Sequence, residues 1–208
     1  PELFEDSHLM DLTTNDTKYL NKSISETQKV IDITRELNEY FPNTKKPPIV
    51  ANIGGFSLDE PFNNDEKLRR YEKFANTLDK LDMKDVELIP QTMAPFPWHF
   101  GGQRFQNIFV LPDEIDYWCK QLNIRMCLDV SHSKLTCNHF GLDFYDFLKL
   151  VSPHSIHLHL GDALGVNGEG LQIDDGDIDF IKMAKILIKN CPEASFIPEI
   201  WQGHKDSG

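Results

Sequence analysis

The stretch Lys45–Phe56, KKPPIVANIGGF, decides between two folds. Ile49, Val50 and Ala51 form a short apolar run that closes on Gly54 and Gly55, the pattern of a strand buried on both faces. Such a strand belongs to either of two architectures, an open doubly wound sheet or a (β/α)8 barrel. The dinucleotide-binding form of the first asks for G-x-G-x-x-G after an early strand and an acid for the ribose further on. "ANIGGF" is too short for that fingerprint, and no acid stands at the expected place. The fold that remains is α/β of the TIM-barrel type.

Outward from this strand the element types alternate. Residues 23–40, SISETQKVIDITRELNEY, predict a helix with Ser25 and Gln28 at capping-box spacing and Val30, Ile33, Thr34 and Leu37 on one face. Leu68, Tyr71, Phe74, Ala75, Leu78 and Leu81 recur at helical spacing within residues 63–81. DVELIP (85–90), IRMCLDV (124–130), SIHLHL (155–160) and SFIPEI (195–200) read as further strands. Residues 111–123, 142–151 and 177–190 read as the helices between them, the first with Pro112 in its opening turn. Five strands separated by helices mean parallel strands with right-handed crossovers. Five do not close a barrel of eight. The expectation is therefore one domain over residues 1–208, a truncated barrel short of three strands. Its two open edges invite pairing with another chain, which places self-association among the expectations.

Composition narrows the function. A net charge of −12 repels phosphate backbones and anionic lipid, so no nucleic-acid partner is expected. No apolar run approaches the roughly 20 residues of a membrane span. Cys119, Cys127, Cys137 and Cys191 show no CxxC pairing and read as reduced thiols of a cytoplasmic protein.

Barrel enzymes carry their chemistry at the C-terminal ends of the strands. Glu87, Asp129, His159 and Glu199 fall in or just after four successive strands, each about one βα unit from the last. Converging carboxylates repel one another, and a divalent cation resolves that repulsion. Two Glu, one Asp and one His make an oxygen and nitrogen ligand set suited to one Mn, Mg, Co or Zn ion. His157 shares a strand face with His159 by the period of two, so one ligates while the other supports it. His132, on a loop three residues past Asp129, and Asp162 are candidate substrate or metal contacts. The segment 93–106, MAPFPWHFGGQRFQ, offers Trp98 as a wall for a sugar face and Gln103 and Arg104 as partners for hydroxyls or an anion.

The ordered set ELIPQT, CLDVSHS, HLHLGDA with GEGLQIDDGDIDF, and FIPEIW resembles the xylose isomerase-like barrel superfamily across nearly the whole chain. That superfamily includes sugar isomerases and epimerases, inosose dehydratases and apurinic endonucleases. The resemblance places the chain from the loop after the second barrel strand to just past the seventh, so strands one, two and eight are not in it. It implies a carbohydrate substrate and a divalent metal held by Glu87, Asp129, His159 and Glu199. It further implies that Glu87 and Glu199 are an acid/base pair moving a proton at a carbon beside a carbonyl, with Asp129 and His132 matching the family's DxxH contact. The sequence departs from the epimerases at Met93, where a second glutamate is expected, and at Gly165, where an arginine is expected. It departs from the nucleases at Asn52 and in lacking the Asp-x-His pair after the sixth strand. The alternatives are a metal-dependent apurinic endonuclease or phosphodiesterase, and a non-catalytic barrel module of a larger biosynthetic protein.

Overall fold

The computed structural model describes residues 3–4, 8–96, 98–99, 102–201 and 203, with backbone alone for 3, 4, 98, 99, 102 and 103. Its strands are β1 (Pro48–Ala51), β2 (Glu87–Pro90), β3 (Met126–Asp129), β4 (Ser155–Leu160), a hairpin of β5 (Asp162–Leu164) and β6 (Gly168–Leu171), and β7 (Ser195–Pro198). The helices are α1 (Thr17–Asn38), α2 (Asn64–Leu78), α3 (Pro112–Leu122), α4 (Val130–Phe140), α5 (Phe144–Val151) and α6 (Phe180–Asn190). Short two-residue pairs decorate the loops.

The parallel strands run in the order β1, β2, β3, β4, β7. β1 pairs with β2, and β4 pairs with both β3 and β7. A single parallel bridge from Gln91 to Cys127 joins the two groups. The result is an arc of a barrel, with no closed ring among the described residues. β7 is exposed along its length, as an edge strand is.

The core lies between this arc and its helices. Leu88, Met126 and Leu128 point from the strands, and Phe74, Ile115 and Leu148 meet them from the helices, all buried. Each such side chain contributes about 1.5–3 kcal/mol on leaving water. That burial, rather than helix propensity, fixes which face of each helix turns inward.

Two expectations at the level of elements need correction. α1 starts at Thr17, where Asp16 accepts from the Tyr19 N–H, so Ser25 and Gln28 sit inside the helix rather than at its cap. Its inward face is Leu20, Ser23, Thr27 and Ile31, while Ile33 and Leu37 are exposed. Small hydroxyl residues serve there because the helix approaches the chain closely: Ser23 Oγ binds His8 Nε2 at 2.9 Å and accepts from the Asp11 N–H. The second correction is α4, which the sequence leaves as a loop. Its apolar pattern is weak because most of its first two turns, Val130–Thr136, is buried whether apolar or polar.

Candidate functional site

Asp129 ends β3 and caps α4 at once. Its Oδ1 accepts from the His132 N–H at 2.9 Å, which satisfies one of the orphan donors of the helix start. Thr92 and Ser133 brace the same residue, since Thr92 Oγ1 accepts from the Asp129 N–H and both hydroxyls donate to its carbonyl. Oδ2 is thereby left facing the barrel mouth. Around it stand Gln91 Nε2 at 3.0 Å, His132 Nδ1 at 3.4 Å and His159 Nδ1 at 3.6 Å.

His159 reaches this point because β4 is in register with β3, which places it opposite Asp129. Glu199 follows β7 and is held by the bond of its N–H to the Leu160 carbonyl. That approach requires Gly161, where a Cβ would stand 2.6 Å from the Glu199 carbonyl oxygen. Asp129, His159 and Glu199 bring ligand atoms within 4.8 Å of one another. His159 Nδ1 lies 2.5 Å from Glu199 Oε2, yet it is buried without a hydrogen bond of proper geometry. An imidazole nitrogen enclosed between two carboxylates, with no well-directed hydrogen bond to either, is an arrangement a shared cation would satisfy. The donor set of two oxygens and one nitrogen fits a divalent metal, and these three residues are the ones that would hold it.

The electrostatics agree with the geometry. Burial works against charge on His159, but Asp129, Cys127 and Glu199 outweigh it and push the ring up to about 12. Burial likewise opposes charge on His132, and Asp129 and Glu169 raise it to about 10. The hydrogen bonds of His132 say the same: Nδ1 donates to the Thr92 carbonyl at 2.9 Å, and Nε2 meets Glu169 Oε1 at 2.9 Å. Both partners accept, so both ring nitrogens carry protons. Burial would raise Asp129, but the two histidines hold it below its usual value.

Glu87 is not part of this cluster. β2 runs from Glu87 toward Gln91, so Glu87 stands at the opposite end of the strand from the mouth. There it pairs with Arg125, which precedes β3, through Nε at 2.8 Å and through Nη2. Gln91 occupies the strand-end place that Glu87 was expected to fill. Strand direction carries the signal: within ELIPQT the residue nearest the C-terminal end is Gln91, not the acid that opens the run.

His132 does reach the cluster, from the first turn of α4 rather than from a loop. His157 turns to Ser195 on β7, 2.7 Å away, and is not among the clustered ligand atoms. Asp162 is fully buried and faces its own loop, accepting from the N–H groups of Ala163, Asp174, Gly176 and Ile178. It is therefore not available to a substrate. Arg104 acts electrostatically on Tyr19, and none of its described contacts is with the cluster. The side chains of Trp98 and Gln103 lie outside the described residues. A pocket of about 130 Å³ does border the aromatic segment, between Phe62, Phe96, Phe105 and His139, and no residue of the cluster lines it.

Sequence alone does not place Glu169 beside His132. The β5–β6 hairpin carries it over His132, anchored where Ser131 Oγ donates to the Asp162 carbonyl and accepts from the Gly170 N–H. Gly-rich turn residues in GVNGEG are the signal for that hairpin. The four cysteines form no disulfide, and burial raises each thiol above its ordinary value, which makes them unreactive.

Parallel strands, intervening helices and a polar cluster at the strand ends define a barrel-type α/β protein with a candidate metal centre. The chain belongs to the family described as Xylose isomerase-like TIM barrel, which it matches over residues 3–207. Among solved structures it is similar to a D-tagatose 3-epimerase-like protein, at 16% identity and TM-score 0.70, covering 96% of this chain and 68% of that one. It is similar to an L-ribulose 3-epimerase at 15% identity and TM-score 0.67, covering 93% of this chain and 59% of that one. An AP endonuclease, family 2, from Brucella melitensis aligns at 13% identity and TM-score 0.61, covering 96% of this chain and 69% of that one. At these identities the likeness is one of fold. No curated protein matches the sequence. No helix among the described residues is long and apolar enough to cross a membrane.

Proposed function

We propose that the protein is a divalent-metal-dependent enzyme that isomerises or epimerises a sugar or sugar derivative by moving a proton at a carbon beside a carbonyl. One observation carries this: Asp129, His159 and Glu199 converge at the C-terminal ends of three adjacent strands, with a buried imidazole nitrogen enclosed between the two carboxylates. A cation bound there would supply polarisation of the substrate carbonyl, which acidifies the neighbouring C–H. Glu199 is the group placed to take that proton, because its side chain is about half exposed while Asp129 is almost fully enclosed. Glu87, at the far end of β2, takes no part. His132, its two ring N–H groups engaged by the Thr92 carbonyl and Glu169, holds Glu169 in place, and the Glu169 carboxylate offers an acceptor to substrate hydroxyls. Epimerases of low identity among the similar structures favour a carbohydrate.

The test has two parts. Metal analysis of freshly purified protein should find about one divalent ion per chain. Incubation with candidate ketoses and sugar acids in D2O should then place deuterium on the carbon next to the carbonyl. Protein that neither retains nor takes up a divalent ion would sink this reading.

A further inference from the structure

Glu199 is the member of the centre that stands at an edge. It follows β7, which among the described residues is paired on one side only, and about half of its own side chain is open to solvent. Its backbone is nevertheless fastened on both sides of the carboxylate. The Glu199 N–H donates to the Leu160 carbonyl at 2.9 Å, and the Trp201 N–H donates to the Gly170 carbonyl at 2.7 Å. Gly170, in β6, is fastened in turn. Its N–H donates to Ser131 Oγ at 2.8 Å, and that hydroxyl donates to the Asp162 carbonyl at 3.2 Å. The two peptide groups flanking Gly170 thus form a strap from the first turn of α4 to the segment that bears Glu199. Gly170 has a φ of +61°, and a Cβ there would stand 3.2 Å from the Trp201 nitrogen and 3.4 Å from the Glu199 carbonyl oxygen. The strap is therefore closed backbone against backbone, with no room kept for a side chain. Ser131 is 3% exposed, and the hydrogen-bond partners of its hydroxyl are these two backbone groups rather than members of the cluster.

We propose that Ser131 is a positioning residue for Glu199: its hydroxyl, acting through the Gly170 peptides, holds that carboxylate within reach of the cation shared with Asp129 and His159. This rests on the metal-dependent reading above. Without the hydroxyl, the Gly170 N–H is left buried with no acceptor, a costly state that the hairpin relieves by shifting. The Gly170 carbonyl moves with it, and Trp201 follows. On its open side Glu199 has no paired strand to resist the pull. Metal–ligand distances tolerate only about 0.2 Å, so a small displacement is felt as lost affinity. Loss of a residue that orients a ligand costs about 10–100-fold in metal binding.

A double-mutant cycle tests this, with Mn2+ affinity read from the electron paramagnetic resonance of the free ion in the wild type, Ser131→Ala, Glu199→Gln and the double variant. Ser131→Ala should weaken Mn2+ binding by about tenfold or more when Glu199 is present. It should weaken it by less than about twofold when Glu199 is already Gln, because the ligand through which Ser131 acts is gone. In the metal-free protein the same variant should quicken amide exchange of residues 199–201 severalfold and leave residues 126–129 unchanged. Gly170→Ala keeps the hydroxyl and presses on Trp201 directly, so it should show the same dependence on Glu199. It also carries the test if Ser131→Ala does not fold. An equal loss of affinity in both backgrounds overturns the proposal, since the hydroxyl would then act through Asp129 or through the fold at large. An affinity that Ser131→Ala leaves within about twofold of the wild type overturns it too. A wild type that binds no Mn2+ overturns instead the metal-dependent reading beneath it.

Discussion

At the scale of single residues, the centre depends on side chains that share their lone pairs without conflict. Asp129 gives Oδ1 to the start of α4 and Oδ2 to the mouth, so one residue both shapes the backbone and serves the site. His159→Ala or Glu199→Gln should lower Mn2+ or Zn2+ affinity by about a hundredfold or more, read by calorimetry. Glu87→Gln should change it less than about twofold and cost no more than about 1 kcal/mol of stability, since Arg125 is half exposed. Equal losses in Glu87→Gln and Glu199→Gln would return Glu87 to the ligand set.

The raised imidazole makes metal binding pH-dependent. In the metal-free protein His159 moves up from 6.5 to about 12. Its protonated form therefore stabilises the fold fully below the unfolded value of about 6.5, and that contribution is lost as the pH climbs through about 12. A cation needs the neutral ring and must displace the proton. Between about pH 6 and 9 the apparent affinity should rise by roughly tenfold per unit, with about one proton released to buffer on binding. An affinity flat across that range would show that His159 is not a ligand.

At the scale of elements, the β5–β6 hairpin and the loop after it form a rigid cover held by one carboxylate. Asp162 gathers four backbone N–H groups in a site with no exposure, and a Cβ at Gly176 would stand 2.4 Å from its Oδ1. Asp162→Asn keeps the volume and replaces an acceptor with a donor, facing N–H groups that can only donate. It should cost about 3 kcal/mol in urea denaturation. Because the same hairpin carries Glu169, the variant should also lose part of the His132 pairing, visible as an imidazole titrating nearer its ordinary range by NMR. A stability loss under about 0.5 kcal/mol would show that Asp162 is not the anchor of this loop.

At the scale of the whole molecule, five parallel strands make an arc whose last strand, β7, is paired on one side only among the described residues. Glu199 ties the end of that edge to β3 and β4 through Asp129 and His159. Amides of residues 195–197 and 199 should therefore exchange faster than those of 126–129 in the metal-free protein, and Mn2+ should slow them severalfold by mass spectrometry. Equal protection of β7 and β3, with no response to metal, would mean that the edge is covered or that the centre does not bridge these strands.

Much of this was legible in the chain. Apolar runs of four to six residues bounded by Gly and Pro mark β1, β2, β3, β4 and β7, because a strand buried on both faces leaves a short, continuous signature. Asp129, His159 and Glu199 stand out because each ends such a run, where charge is costly unless something compensates it. α4 was not legible, since a helix buried on several sides carries no simple stripe. Glu87 misled because an acid at the start of a strand and one at its end look alike until the direction of the strand is set against its neighbours.

Local sequence by itself determined the alternation of elements, the parallel sheet and three members of the centre, because period, turn residues and strand ends are local properties. Only the tertiary structure decided which end of β2 joins the site. Register between strands places Gln91 against Cys127 and Asp129, and Glu87 against Arg125. It decided also that Asp162 is spent on backbone and that Glu169 reaches His132. These are contacts between residues tens of positions apart, and no local pattern encodes them; they follow from which strand ends the packed core brings to the same height.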